Sequence, residues 1–275
     1  MRNQILARGP RAYLADSTVA HMGARSSQQD AYASGYYTDA DTNYWIGAIA
    51  DGSSASPWSA IVADAAVRTA VRLGTSADFQ RAPDRLIPAT KAMLQEIPRW
   101  AAAQNAQALN AFRNVAGRAR PDTTLLVATV TPAAEVVVAG VGNSRAYVLT
   151  EGGQLLQLTT DHTLHAGGGH ESLTLTLGTL EHERRDDPAT AVNVACWAEG
   201  GQDRAWRVLL CTDGVHGPLP DSHTAIGDLL NDRHTSPREI AKQLTTTAVA
   251  AGGAWADNAL AMVVDIPDPT VGRRR

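Results

Sequence analysis

A chain of 275 residues, 44% hydrophobic and 19% charged, is long enough to bury a sizeable core and too apolar to remain unfolded. Its 24 Lys and Arg against 28 Asp and Glu leave a net charge of −4, which argues against a broad nucleic-acid-binding face. Residues 1–10 are polar, no stretch reaches the roughly 18 consecutive apolar residues of a membrane helix, and two cysteines make no secreted disulfide framework. A cytoplasmic chain without membrane contact is therefore expected, with Cys196 and Cys211 in its core.

In chain order, the first apolar run, residues 44–50, predicts a strand. Ser56-Pro57 is a cap and first-turn pair for a helix carrying Ile61, Val62, Ala65, Ala66, Ala70 and Val71 at helical spacing. A longer helical region over 84–112 is interrupted by Pro88 and Pro98. Strands are predicted over 123–130, 135–141, 145–150 and 154–158, with Pro132-Ala133 and Gly152-Gly153 in the turns of antiparallel meanders. The Gly-rich segment 166–170 reads as a loop, and further strands fall at 191–197, 206–212 and 259–266. Between the last two, Ser236-Pro237-Arg238-Glu239 is a capping box that opens a helix bearing Ile240, Leu244 and Ala248 on one face. Runs of strands with helices between them predict an α+β fold, two packed sheets flanked by helices. Trp197, Trp206 and Trp255 read as core or core-edge residues. One domain over 1–267 is expected, with 268–275, ending in Arg273-Arg274-Arg275, as a disordered basic tail.

Chemistry is concentrated in carboxylates at strand ends. Asp51 follows the apolar run 46–50 and precedes Gly52. Asp213 follows 208–212 and precedes Gly214, and Asp257-Asn258 opens the last strand. An Asp-Gly pair taken alone is usually a turn. Three such acids from distant parts of the chain form an oxygen donor set of the kind Mg²⁺ and Mn²⁺ prefer, and a pair of those ions is a device for hydrolysing phosphoesters. Arg25, just ahead of Gln29 and Asp30, adds a planar fork donor suited to a phosphate. The cluster His162, His165, His170 and Glu171 matches no closed zinc site. His162 is expected to hydrogen-bond within the turn after its strand.

Taken together, Gly23 to Asp30, Ala50-Asp51-Gly52, Asp122-Thr123-Thr124-Leu125, Val141-Gly142-Asn143-Ser144-Arg145, Leu158-Thr159-Thr160-Asp161-His162, Leu210-Cys211-Thr212-Asp213-Gly214 and Asp257-Asn258 form an ordered series. It resembles the protein phosphatase 2C family of metal-dependent serine/threonine phosphatases, in its bacterial form. The resemblance implies a four-layer α-β-β-α sandwich of two antiparallel sheets, with two divalent cations, Mn²⁺ or Mg²⁺, at one edge. It also implies that Asp51 bridges both ions, that the Gly52 carbonyl binds one, and that Asp213 and Asp257 bind the other. Arg25 matches the phosphate-binding arginine, Gln29 and Asp30 a pair holding metal-bound water, and Asn258 a support for its neighbour. The implied reaction is in-line hydrolysis of phosphoserine or phosphothreonine by a metal-bridging hydroxide, opposing a serine/threonine kinase in signal transduction.

Three departures stand out. Asn143 occupies a position where the family has an aspartate, and an amide weakens a third metal site. Ser53 stands where several members have a histidine, which leaves the general acid unassigned and metal-bound water as its substitute. After His162 only 163–172 precede Leu173-Thr174-Leu175-Thr176-Leu177-Gly178, so the flap segment is shortened and a more open cleft is expected. Two alternatives follow from these departures: a pseudophosphatase that binds phosphoproteins without hydrolysis, and a phosphatase of a small phosphoester.

Overall fold

The computed structural model describes residues 14–39, 42–54, 58–75, 85–95, 121–131, 133–166, 170–178, 192–197 and 203–267. One sheet has the order β1 (Ala15–His21), β12 (Ala259–Asp265), β11 (Ala205–Cys211), β6 (Arg145–Thr150), β7 (Leu155–Gln157). The other runs β10 (Asn193–Trp197), β5 (Val136–Val141), β4 (Leu125–Val130), β3 (Thr42–Asp51), β2 (Asp30–Asp39). Every pairing in both sheets is antiparallel.

Alternation along the strands builds the layers. On β3, Trp45 and Ile49 point between the sheets, where they meet Leu126, Val138, Val148, Leu210 and Met262. Their neighbours Ile46, Ala48 and Ala50 point the other way, onto Ala63, Ala66, Val67 and Ala70 of α1 (Ser59–Gly74) and onto Leu86 and Ile87 of α2 (Leu86–Leu94). In the opposite sheet, Leu209, Cys211 and Val263 face outward onto Ile226 and Leu230 of α4 (Ser222–Leu230) and Ile240, Leu244 and Ala248 of α5 (Pro237–Gly252). A short helix, α3 (Asp213–His216), follows β11 directly. The result is the expected helix-sheet-sheet-helix sandwich. Central strands buried on both faces read in sequence as continuous apolar runs, which is why they were legible.

The edge strands β1 and β2 were not expected. Tyr32, Ser34 and Tyr36 of β2 are exposed and the inward positions are the small Ala31 and Ala33, so the strand carries little apolar signal. Pro88 falls in the first turn of α2, where its missing N–H leaves no helix bond unmade, so it does not interrupt the helix. The rest of the 84–112 region, Ser56-Pro57, Gly167 to Gly169 and the 268–275 tail lie outside the described residues. On either side of that glycine run, β8 (Thr163–Ala166) and β9 (His170–Leu173) pair as a hairpin, so the shortened flap is a two-stranded ribbon where a loop was expected. Ser236 accepts the Glu239 N–H at 3.3 Å, the cap the sequence predicts for α5. Cys211 is buried in the outer layer of its sheet, but Cys196 is exposed on the edge strand β10, contrary to the core placement expected for both.

Antiparallel pairing also sets where the motifs meet. β3 ends at Asp51 opposite Asp30, the first residue of β2, and β4 starts beside them. β11 ends at Cys211 opposite Arg145, the first residue of β6, while β12 begins at Ala259. Each motif that the sequence singled out lies at the same end of its sheet.

Candidate metal and phosphate site

The two sheet ends are joined by Thr212. Its hydroxyl donates to Asp30 Oδ2 at 2.9 Å and accepts the Leu260 N–H at 3.0 Å, tying the start of β2 to the β11 and β12 ends. Asp51 is fixed through its backbone: its N–H donates to Thr124 Oγ1 at 3.0 Å, and its carbonyl accepts from Thr123 Oγ1 and the Thr124 N–H. Asp213 opens α3. The following Gly214 packs so closely on the Asn258 carbonyl that an added Cβ would lie 1.8 Å from it. Only glycine allows the Asp213 turn to approach the Asp257-Asn258 segment this closely.

Asn258 turns out to do more than support its neighbour. It is buried, its Oδ1 accepts the Gln29 N–H at 2.8 Å, and its Nδ2 donates to the carbonyls of Met22 and Ser27 at 2.8 and 3.1 Å. The loop carrying Arg25 therefore hangs on the residue next to Asp257. Arg25 itself bonds Asp257 Oδ2 at 2.5 Å, and the surrounding acids, with this bond foremost, raise its pKa further. Gln29 accepts the Gly52 N–H on its carbonyl at 3.2 Å, and its Nε2 reaches Ser53 O at 3.5 Å.

Asn143 donates its Nδ2 to Asp213 Oδ2 at 2.8 Å, while its Oδ1 is buried without a partner. The turn before β6 that presents it has Gly142 at φ 109°, a conformation side-chain-bearing residues avoid, with Thr124 filling the space a Cβ would need. His162 Nδ1 accepts the Gly142 N–H at 3.0 Å, so this histidine braces the β5–β6 turn, whereas a bond within its own turn was expected. His216 Nε2 lies 3.0 Å from the Asn143 carbonyl, and burial, foremost, keeps its pKa below the ordinary histidine value. As a neutral ring it donates its Nε2–H to that carbonyl.

Asp122, in the Asp122-Thr123-Thr124-Leu125 motif, joins two segments beside the site. Its carboxylate accepts from Thr176 Oγ1, Gly178 N and its neighbour Thr123 N, while its carbonyl accepts the Ser53 N–H. It clamps the segment after the β8–β9 hairpin to the Asp51 turn. Nothing in a single Asp before Thr-Thr signals this.

Four acids thus share one rim. Burial, foremost, and then the charges of Asp213 and Asp257 push the Asp30 carboxyl up to about 7, although Thr212 donates to it. Burial, followed by Asp213 and Asp30, holds Asp51 well above the usual carboxylate range. Asp30 Oδ1 is buried without a donor. A rim of this kind is stable fully ionised only when cations neutralise it. Among the described residues no three His, Cys, Asp or Glu are already drawn together around one ion, and Arg25 occupies Asp257 Oδ2. Mg²⁺ and Mn²⁺ keep several waters and take few protein ligands each, so a carboxylate rim can serve them without a closed cage. The rim donors are all oxygen, and beside them the buried Oδ1 atoms of Asp30 and Asn143 lack a protein partner, so the residues fit such ions and the waters they carry.

Two openings adjoin the rim. A small pocket of about 160 Å³ is lined by Asp51, Gly52, Ser53, Thr124, Asp213 and Asp257. A cleft of about 830 Å³ shares Asp213 and Asp257 with it and extends past Asn143 to Trp255 and Asp221. Trp197 and Trp206 pack into the core as expected, but Trp255 is 91% exposed, which corrects its reading as a core residue.

The family model for protein phosphatase 2C matches residues 19–248, from the strand before the Arg25 loop into α5. The chain belongs to the protein phosphatase 2C family. It is thereby an enzyme of the phosphatase class, and no curated protein matches it in sequence. Among solved structures, the serine/threonine phosphatase Stp1 from Staphylococcus aureus is similar at 18% identity and a TM-score of 0.68, covering 96% of this chain and 100% of that one. PppA, a regulatory component of T6SS in Pseudomonas aeruginosa, gives 22% identity and 0.62, over 92% and 97%. The catalytic domain of the phosphatase PstP, solved with two manganese ions, gives 21% and 0.61, over 93% and 99%. At these identities the likeness is one of fold, and it agrees with the protein phosphatase 2C sandwich described above.

Proposed function

We propose that the chain is a metal-dependent serine/threonine phosphatase acting on phosphorylated proteins, with residues 1–267 as one catalytic domain. The observation that carries this reading is the convergence of Asp30, Asp51, Asp213 and Asp257 at one sheet edge, beside an arginine held at the same rim. Asp51 and the Gly52 carbonyl would hold one divalent cation, and Asp51, Asp213 and Asp257 the other. Such a pair supplies Lewis acidity and a hydroxide nucleophile at neutral pH. Arg25 orients the phosphate with its planar fork and stabilises the charge that builds on its oxygens. Gln29 and Asp30 order water at the mouth, Thr212 holds Asp30 in place, and Asn258 holds the Arg25 loop at its distance from Asp257. Asn143, bonded to Asp213, leaves a third cation without a carboxylate, so two are expected. A protein of this kind works in the cytoplasm opposite a serine/threonine kinase.

Incubation with Mn²⁺ and a phosphopeptide tests the reading. Turnover should be metal-dependent and should fall at least about a hundredfold in Asp51→Asn. Absence of metal-stimulated turnover would sink it. A second reading, a binding module without hydrolysis, is favoured by one observation, the Arg25–Asp257 ion pair that already occupies a ligand oxygen. Calorimetry decides between them: two Mn²⁺ per chain supports the enzyme, and none supports the module. The breadth of the 830 Å³ cleft allows a small phosphoester as substrate as well, which a competitive substrate panel separates from phosphopeptides.

A further inference from the structure

The cleft beyond Asp213 and Asp257 is larger than a phosphate requires, and its lining includes two side chains that neither the fold nor the proposed chemistry uses. Trp255 is 91% exposed on the one-turn helix Gly253–Trp255. Its backbone is nonetheless fixed, because Ala256 N–H bonds Gly253 O at 3.2 Å and Ala256 O accepts the Ala24 N–H at 2.9 Å. A rigidly mounted indole left in water is a large apolar surface awaiting a partner. Asp221 stands at the N-cap of α4 yet makes no capping bond with its side chain. It is also held at φ 47°, a left-handed conformation that costs a non-glycine residue stability. Both residues line the same cleft.

The other charges on the cleft wall are committed. The Arg145 guanidinium makes three hydrogen bonds to the Asp161 carboxylate, and His216 donates to the Asn143 carbonyl. His223 is turned against Tyr147, with ring centroids 6.3 Å apart. Asp213 and Asp257 are taken by cations in the reading above, on which this inference rests. Among the described residues, and apart from the exposed ring of His223, what remains facing the cleft is one carboxylate and one aromatic face, and a side chain with a delocalised or compact positive charge satisfies both.

We propose that this cleft seats the polypeptide flanking the phosphorylated residue and selects a basic side chain there, an arginine or lysine lying on Trp255 and facing Asp221. The carboxylate rim binds the phosphate and the Trp255–Asp221 wall reads its sequence context.

The test uses the full chain with Mn²⁺ and labelled peptides bearing the non-hydrolysable phosphonate analogue of phosphoserine. A single Arg, Ala or Glu is scanned through the flanking positions and binding is followed by anisotropy. At one or more positions the Arg peptide should bind about tenfold tighter than the Glu peptide, the scale of a cation–π contact joined to a charge pair. In Trp255→Ala and in Asp221→Asn that ratio should fall to about two, and Trp255→Phe should restore much of it. Equal binding of Arg and Glu peptides at every position, a preference for Glu, or a ratio untouched by both substitutions overturns the proposal. Turnover of p-nitrophenyl phosphate by the unaltered chain reports separately on the catalytic reading. If peptides are discriminated without turnover, the hydrolase assignment fails and the cleft assignment stands.

Discussion

At the scale of single residues, the acidic rim makes stability depend on pH and metal together. An unfolded aspartate titrates near its ordinary value of 3.8, whereas Asp30 in the fold holds its proton up to about 7 and Asp51 is raised as well. Between those values the native state binds more protons than the unfolded one, so the metal-free chain loses stability as pH rises from about 4 towards 7. Cations require the ionised forms, so binding them releases these protons. Thermal melts in EDTA and in Mn²⁺ should therefore diverge as pH rises from 5 to 7, with the larger stabilisation by Mn²⁺ at the higher pH. A constant difference across that window would show that the rim carries no such strain. Asp51, Asp213 and Asp257 were legible because each is an acid beside a glycine or asparagine at a strand end, and Asp30 because it closes the motif that carries Arg25. Asp122, Thr212 and the several bonds of Asn258 were not, since their roles depend on what folding brings opposite them. Trp255 misled for a related reason: a tryptophan in sequence carries no sign of which way its turn faces.

At the scale of elements, β11 shows how a central strand accommodates a charge on its helix-facing side. Arg207 is fully buried, bonds both oxygens of Asp265 on β12, and donates to the carbonyls of Leu230, Asp232 and Thr235, which terminate α4 and lead into α5. The guanidinium of Arg207 also lies 4.3 Å from the centre of the Trp206 ring, and that of Arg233 4.7 Å from it. One side chain thus closes the end of a helix onto a sheet. Arg207→Met keeps the volume but leaves these carbonyls and Asp265 without their donor, and should cost about 3–5 kcal/mol in urea unfolding. A loss below about 1 kcal/mol would mean that water replaces these bonds readily. In the sequence Arg207 is a lone charge in an apolar run. The strand could be recognised there, but not the acceptors, which lie as far as 58 residues away. The edge strands β1 and β2 escaped notice for the opposite reason, having too little apolar content to mark them.

At the scale of the whole molecule, the sandwich works by bringing two independent sheet ends into register. The order of motifs along the chain implied the four layers, and the layers agree with that expectation, because buried central strands leave an unambiguous apolar trace. The sequence could not show how the sheets are locked at the site. Thr212 spans them, its hydroxyl donating a hydrogen bond to Asp30 and accepting one from the Leu260 N–H. Thr212→Val preserves shape and β propensity but removes both bonds. It should lower Mn²⁺ affinity and kcat together while costing about 1–3 kcal/mol of global stability. Calorimetry and steady-state kinetics on one preparation check this, and unchanged metal affinity would show that the sheets hold their spacing by apolar packing alone.

The bond between Arg25 and Asp257 then takes on a further meaning. In the absence of metal the guanidinium is a resident counter-ion, sparing the rim part of its self-repulsion. Under the proposed function, a cation taken up by Asp257 would compete for the same oxygen and set the guanidinium loose beside the place where a phosphate would lie. Loading and recognition would then be one exchange of partners, metal first and substrate second.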